Sequence, residues 1–462
     1  MKAIPTLKIS ISGVRGVVGD SLTPELVTRF SQAFGTYVGG GGIVIGRDPR
    51  TSGEMVRQAV VAGLVSSGCR VSDLGMVPTP TVQLLVRQLG AQGGIAITAS
   101  HNPPEWNALK FVGGDGLFLS AARGRELLDI YHQGDYARAR GADQHAPVRV
   151  LDAVERHVQA VVAGLGPLPW GRRLRVAVDP GGGAAVVAAP RLVEALGAEV
   201  LAIHTTADGR PPRPAEPLPQ NLGALGEVVR SHAADIGFAQ DMDGDRLAIV
   251  DETGRAIGEE LTLVLAADEV LAGTPGPVVT NLATTEAVEA MAARHGCPVF
   301  RTRVGEANVA EGIRSKRAVI GGEGNGGVIH PGVNFARDSL VGMALVLRRL
   351  TRSGAPLSAL AAEYRAFRVV KLQRHCPSEH VAMVLRRARE AWAGRPLELS
   401  DGVKVRLEDG WFILRASNTE PVLRVIAESS SDERARAIAE QVLRDVADWI
   451  GSVAAHGPNA GR

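Results

Sequence analysis

The chain predicts an α/β protein: three α/β domains of similar build, followed by a smaller α+β domain at the C-terminus. Three observations carry this. At 462 residues the chain is longer than a single hydrophobic core can serve. One unit recurs three times: a β-branched run, a turn, a helical stretch near a dozen residues long, then another apolar run. It starts at Gly42, at Leu174 and at Pro277. After about Arg368 the pattern changes to strands joined by turns, closed by an amphipathic helical stretch from Ser431. The copies are unevenly spaced, which excludes a solenoid. The expected boundaries are 1–148, 149–254, 255–367 and 368–462.

Composition narrows the function classes. Apolar residues make up 45% and mean hydropathy is near zero, as in a soluble globular protein. A net charge of +2 gives no general electrostatic reason to bind nucleic acid or a membrane surface. Cys69, Cys297 and Cys376 are far apart and form no CxxC pair, which suits a reducing cytoplasm and speaks against a thiolate metal site. No signal-like apolar core opens the chain, and no run of 18 apolar residues would span a bilayer. The expected location is cytoplasmic. Six lysines stand against 45 arginines, so a retained lysine hints at a need for a compact, titratable amine.

Taken in order, ISGVRGVVGD is punctuated by Gly13, Gly16 and Gly19 and reads as a loop around Arg15. Thr23-Pro24-Glu25 is a helix start, with Thr as N-cap and Pro at the first helical position. GGIAI is a short buried-strand run ending at TASHNPPEWNALK. Pro103 and Pro104 remove backbone donors and disfavour helix before them. Ser100, His101 and Asn102 are therefore expected on a fixed loop at a strand end, where α/β proteins bind ligands. A hydroxyl, an imidazole and an amide side by side suit the holding or transfer of a charged group, and Lys110 adds a cation. A rigid capped turn is the plain alternative. The glycines at Gly181–Gly183 lack a full phosphate-loop pattern and read as a flexible strand-to-helix turn. Five prolines between Pro211 and Pro219 exclude helix or central strand and predict an ordered crossing loop within the second domain.

QDMDGDR follows an apolar run. Asp241, Asp243 and Asp245 at spacing two share a face if the backbone is extended. Three converging carboxylates repel unless a cation sits among them, and hard oxygens favour Mg²⁺ or Ca²⁺. An EF-hand would need Gly where Arg246 stands, and helix where a strand-like run precedes. A haloacid-dehalogenase-type aspartate nucleophile and a solvated acidic turn are the other readings. In GGEGNGGVIHP, Glu323 and Asn325 lie among five glycines. They offer a carboxylate and an amide to paired hydroxyls, or form a glycine hairpin. In LRASNTEPVLRV, Arg415, Ser417, Asn418 and Thr419 suit a phosphate dianion, or form a turn before Pro421.

On these stretches the sequence resembles the α-D-phosphohexomutase family over nearly its whole length and in the family's order. TASHNPPEWNALK is similar to the phosphoserine loop, DMDGDR to the metal loop, GEGNGG to the sugar-binding loop, RASNTEP to the phosphate-binding loop and SGVRG to the N-terminal arginine motif. The resemblance implies a heart-shaped enzyme with its four domains around a central cleft. It implies a phosphoryl group on Ser100, and Mg²⁺ held by Asp241, Asp243, Asp245 and an oxygen of that phosphate. Arg15 and Lys110 would face the transferring group, and His101 would orient the loop. Glu323, Asn325 and Arg246 would hold the sugar phosphate; Arg415, Ser417, Asn418 and Thr419 would hold its non-reacting phosphate. A hexose 1,6-bisphosphate is implied as intermediate and activator. Many bacterial members carry Ser-Gly-His where this chain has Asn325-Gly326-Gly327. The histidine is absent at Gly327, with His330 nearby in sequence. The loops look more like the archaeal-type phosphoglucosamine and phosphomannomutase branch. Glucosamine phosphate is the expected substrate, then mannose or glucose phosphate. A silent sugar-phosphate binding protein and a metal-dependent phosphatase are the rival classes.

Overall fold

The structure is a computed structural model that describes residues 6–10, 13–141, 144–166, 168, 172–417 and 421–455. It contains four sheets, one after another along the chain. In the first, strands Cys69–Met76, Gly41–Arg47 and Gly93–Ile97 run parallel, and Trp106–Gly113 returns antiparallel beside the last of them. Strands Gly13–Val17 and Lys8–Ser10 extend that edge, and Val148–Arg149 extends the other. The parallel strands are buried on both faces, as a helix-covered sheet requires. Ile43, Ile45, Ile95 and Ile97 join one apolar cluster, under helices Pro24–Tyr37 and Gly53–Ser66. Val44 and Ala96, one residue out of phase, join the cluster under helix Thr79–Gln88.

The second and third sheets repeat the central arrangement with four strands each. In the second, Glu199–Ala202, Arg175–Asp179 and Ile236–Gln240 are parallel and Leu247–Asp251 returns antiparallel. In the third, Val299–Thr302, Val278–Asn281 and Ile320–Glu323 are parallel and Gly327–Ile329 returns. The helices of these two units pack into one continuous apolar core. The fourth sheet is wholly antiparallel, in the order Arg368–His375, Val422–Ser429, Gly410–Ala416, Val403–Leu407, Leu397–Glu398. Helices Ser378–Ala391 and Asp432–Ala455 belong to this unit.

This repeated topology positions the site. In each α/β unit the third parallel strand turns back into an antiparallel neighbour, and the loop at that turn is one of the stretches singled out above. The first turn carries Ser100, the second carries Asp241–Asp245, and the third lies between Glu323 and Gly327. In the fourth sheet, Gly410–Ala416 and Val422–Ser429 pair antiparallel, with Arg415 opposite Arg424.

Gly13–Val17 is a strand, where the glycines predict a loop around Arg15. Here the glycine permits close approach: a Cβ on Gly13 would stand 1.9 Å from the Leu109 carbonyl oxygen. The proline-rich segment has no regular element beyond the short 3₁₀ turn Pro219–Asn221. Arg213 anchors it, with Nε on Asp179 at 2.8 Å and Nη2 on the Gln240 carbonyl at 2.7 Å. A Cβ on Gly183 would meet the Met242 backbone at 2.8 Å, so the turn at Gly181–Gly183 packs on the acidic loop. Among the described residues no helix is long and apolar enough to cross a membrane.

Candidate active site

Ser100 lies just past strand Gly93–Ile97, 4% exposed, with φ at +50°. A non-glycine residue in that region is strained and is held there by its surroundings. The Ser100 N–H donates to Thr98 Oγ1 at 2.9 Å, and Thr98 Oγ1 donates to Asp48 at 2.6 Å. Arg50 then clamps the loop. Its Nη2 donates to the carbonyls of Ser100 (2.6 Å) and Asn102 (2.7 Å), and its Nη1 to those of Pro103 (2.6 Å) and Trp106 (3.0 Å). Its Nε bonds Asp48 at 3.0 Å. All five donors of one buried guanidinium are used, four of them on loop carbonyls.

The Ser100 hydroxyl donates to Asp241 Oδ2 at 3.1 Å. One oxygen each from Asp241, Asp243 and Asp245 lies within 4.8 Å of the others, and all three residues are buried. Lys110 pairs with Asp243 Oδ2 at 2.6 Å, and Thr79 Oγ1 donates to the same oxygen at 3.0 Å. Burial works against ionisation of Asp243, but Lys110 overrides it and holds the carboxyl well below its usual range. Asp241 is pushed the other way, by burial and by the charges of Asp245 and Asp243. Asp243 Oδ1 and Asp245 Oδ1 are buried without a hydrogen-bond partner. Orphaned carboxylate oxygens facing a shared centre fit a hard divalent cation.

Lys110 and Arg15 project from neighbouring strands on one face of the first sheet. Arg15 is paired with Ala108, two residues before Lys110. Arg15 also donates to Asn102 Oδ1 in the serine loop. Burial, with Arg246, Arg15 and Arg424 nearby, lowers the His101 pKa to about 2, so the ring is neutral. Arg246 connects the acid cluster to a cleft. Its N–H donates to Asp241 at 3.3 Å, and its Nη1 binds Glu216 at 2.9 Å. The cleft has a volume of about 370 Å³, and its wall includes Arg246, Glu323, Asn325, Lys371, Arg415 and Arg424.

The structure thus gathers Ser100, His101, Lys110, Arg15 and the three aspartates on one side, and Glu323, Asn325, Arg246 and Arg415 around the cleft. Glu323 is already bonded. Oε1 accepts from Asn281 Nδ2 and from the Gly305 N–H, each at 2.8 Å, and Oε2 accepts from Arg337 at 2.8 Å. Burial opposes its charge, and Arg337 and these donors hold its pKa below the ordinary value. Asn325 Oδ1 accepts from the Gly327 N–H at 3.2 Å. Arg415 is buried against Asp401 at 3.3 Å. The Ser417 N–H donates to the Val422 carbonyl at 2.9 Å. Asn418 and Thr419 lie outside the described residues. His330 faces away: its Nδ1 accepts from the Gly332 N–H, and it lines a separate cavity with Leu165, Val270 and Leu345.

Sequence reasoning missed Arg50, Arg337, Lys371 and Arg424. Arg424 was within reach of it. It pairs with Arg415 across the two strands of the hairpin, and both flank the turn symmetrically. Arg50 binds carbonyls, which leave no side-chain trace in a sequence.

The chain matches the phosphoglucomutase/phosphomannomutase alpha/beta/alpha domain I at residues 7–138, domain II at 155–254, domain III at 258–367, and the C-terminal domain at 366–445. It is 38% identical over 438 residues to a probable phosphoglucosamine mutase of Methanopyrus kandleri, covering 94% of this chain and 96% of that one. It is 36% identical over 437 residues to a phosphoglucomutase/phosphomannomutase of Thermococcus kodakarensis, covering 93% and 96%. A crystal structure of a phosphoglucomutase/phosphomannomutase family protein from Burkholderia thailandensis superposes with a TM-score of 0.83 at 28% identity, over 97% of this chain and 98% of that one. The four matched domains, in order along the chain, and the relatives they share define a phosphohexomutase. Within that class, the chain belongs to the phosphoglucomutase/phosphomannomutase family.

Proposed function

We infer that this phosphohexomutase interconverts hexose 1-phosphate and hexose 6-phosphate through a phosphoserine at Ser100 and a bisphosphate intermediate, with glucosamine phosphate as its leading substrate. The observation that carries the reading is the meeting of Ser100 Oγ with Asp241 at 3.1 Å, inside a cluster of three buried aspartates beside an arginine-walled cleft. The sugar assignment is supported by the name of the 38% identical relative.

Asp241, Asp243 and Asp245 would hold Mg²⁺ together with an oxygen of the Ser100 phosphate. The ion neutralises charge on the transferring group and aligns it. The chain's own residues supply the rest. The Arg50 clamp fixes the serine oxygen. Lys110 and Arg15 face the oxygens of the transferring group, and neutral His101 orients the loop without carrying charge. The free hydroxyl of the bound sugar phosphate takes the phosphoryl group as the Ser100 Oγ–P bond breaks, and its proton ends on Ser100 Oγ; after the bisphosphate reorients, Ser100 Oγ takes the other phosphoryl and its proton passes to the sugar oxygen that leaves. Glu323, Asn325 and Arg246 hold the sugar phosphate in both orientations. Arg415, with Ser417, Asn418 and Thr419 of the RASNTEP stretch, binds the phosphate not in reaction. Phosphate monoesters hydrolyse extremely slowly without help, so positioning and charge stabilisation are what the site must provide. A hexose 1,6-bisphosphate would restore phosphoserine lost to water. In this reading residues 1–148 carry the phosphoserine, 149–254 the metal, 255–367 the sugar loop and 368–462 the phosphate loop, and the enzyme works in the cytoplasm.

The test is an incubation with Mg²⁺, a trace of hexose 1,6-bisphosphate, and the 1-phosphates of glucosamine, mannose and glucose in turn. The 6-phosphate is the expected product, with the highest kcat/KM for glucosamine 1-phosphate. Free phosphate as the main product would replace the mutase with a phosphatase. No product at all would leave only a sugar-phosphate binding protein.

A further inference from the structure

Arg337 has no part in the reaction described above, yet its guanidinium bonds three buried carboxylates beside the site. Its Nη2 donates to Asp245 Oδ2 at 2.5 Å, its Nη1 to Glu323 Oε2 at 2.8 Å, and its Nε to Glu306 Oε2 at 3.1 Å. Glu306 in turn accepts from Gln83 of the first unit at 2.9 Å. One guanidinium thus joins an acid of the metal cluster, an acid of the sugar loop and an acid tied to the phosphoserine unit. The next two residues bond in the same direction. Ser339 Oγ donates to the Gly244 carbonyl, in the middle of the acidic loop, at 2.6 Å. Asp338 caps helix Ser339–Ser353 and meets His157 at 2.7 Å; that ring also contacts Thr81 of the first unit at 2.8 Å.

The space for this arginine comes from Gly327. A Cβ placed there would stand 2.3 Å from Arg337 Cδ and 2.9 Å from Cγ. The arginine's aliphatic stem fills the volume that a side chain at Gly327 would take. Glycine is not needed for backbone reasons, since Gly327 is not among the glycines with positive φ.

We propose that Arg337 is a positioning residue that sets the cation site and the sugar loop together, and that Gly327 is kept small to admit it. Arg337 occupies Asp245 Oδ2 and so leaves Oδ1, which has no hydrogen-bond partner and only the Arg246 guanidinium at 3.7 Å, as the oxygen this aspartate offers a cation. By holding Glu323 from the same planar group, it fixes the sugar loop relative to that oxygen. Outer partners of metal ligands act in this way, and their loss weakens metal affinity by about 10–100-fold. A simple charge effect has the opposite sign: removing a cation beside Asp245 would favour binding of a divalent ion. The inference rests on the cation reading of the three aspartates, and orientation and charge give it opposed outcomes.

The experiment is a Mn²⁺ binding isotherm followed by the EPR signal of free Mn²⁺, on the wild type and on Arg337→Met, Arg337→Lys and Gly327→Ala, with the Mg²⁺ concentration for half-maximal mutase activity in parallel. Wild-type protein should bind one Mn²⁺. Arg337→Met should bind it at least about tenfold more weakly. Arg337→Lys should be similarly impaired, because an ammonium keeps the charge but lacks the planar fork that reaches three carboxylates. Gly327→Ala changes no charge and pushes Arg337 aside, so it should weaken Mn²⁺ binding even if Arg337→Met fails to fold. Unchanged or tighter binding in Arg337→Met, full recovery by Lys, or unaltered binding in Gly327→Ala would each overturn the proposal. A wild type that binds no Mn²⁺ would instead defeat the cation reading beneath it.

Discussion

Arg50→Lys is the most informative perturbation of the serine loop. Arg50 meets five acceptors with five donors, and four of those acceptors are carbonyls of the loop that carries Ser100. Lysine keeps the charge but has three donors, so at least two acceptors lose their partner. A hydrogen bond to a charged group contributes about 1.5–3 kcal/mol, which puts the loss at about 3–6 kcal/mol if the loop stays in place. The loop has an alternative: Ser100 is held at φ +50°, and opening releases that strain. Most of the loss should therefore appear as loop opening, not as global unfolding. Misplacing the serine oxygen by about 1 Å is enough to lower turnover about 10²-fold. The expected result for Arg50→Lys is a fall in kcat of about that size. Amide exchange should be faster at Ser100–Trp106 and little changed in the third and fourth units. Wild-type turnover with unaltered exchange at these residues would refute the clamp.

Other consequences are open to direct measurement. Arg415→Ala and Arg424→Ala should each raise KM more than they lower kcat, with kcat/KM down about 10- to 100-fold for loss of a charge-assisted contact; an unchanged KM in both would remove them from phosphate binding. Chelation by EDTA should stop turnover while intact mass still shows a phosphoryl group on the enzyme, and Mg²⁺ should restore activity; turnover persisting in EDTA would count against the aspartate cluster as the cation site. Burial raises the Glu306 carboxyl from 4.5 to about 7, despite Arg337 beside it. Between those values the folded protein holds a proton the unfolded chain has lost, so stability falls as pH rises through this window and levels off above it, by at most about 1.4 kcal/mol per pH unit. Glu306→Gln should remove that decline, so urea unfolding at about pH 5 and about pH 8 should show the variant gaining on the wild type at the higher pH; an equal gap at both would contradict the assignment.

The sequence was most legible where side-chain period and chemistry coincide. GGIAI followed by Thr-Ala-Ser-His-Asn-Pro-Pro announces a strand and a stiff turn, and Ser100 sits there. The three alternating aspartates repel too strongly to be packed together without a use. What stayed hidden depends on distance in space. Arg50 serves backbone carbonyls about fifty residues away. Arg337 is a lone arginine in NFARDSL, and its meaning comes only from Asp245, Glu306 and Glu323 arriving around it. Gly13–Val17 was misread as loop because its glycines look like punctuation, whereas Gly13 allows close pairing with Leu109. Glu323 reads in sequence as a free sugar ligand and in space is also a structural acceptor for Asn281, Gly305 and Arg337. The scarcity of lysine drew attention to Lys110, which pairs with Asp243, but not to Lys371, which lines the cleft.

The central claim is that one serine oxygen lends and recovers a phosphoryl group. It is tested most directly by charging the enzyme with ³²P-labelled glucose 1,6-bisphosphate, mapping the labelled peptide, and chasing with unlabelled hexose 1-phosphate. The account predicts label on Ser100 that leaves as sugar phosphate during the chase. Label on another residue, or label lost only as inorganic phosphate, would contradict it.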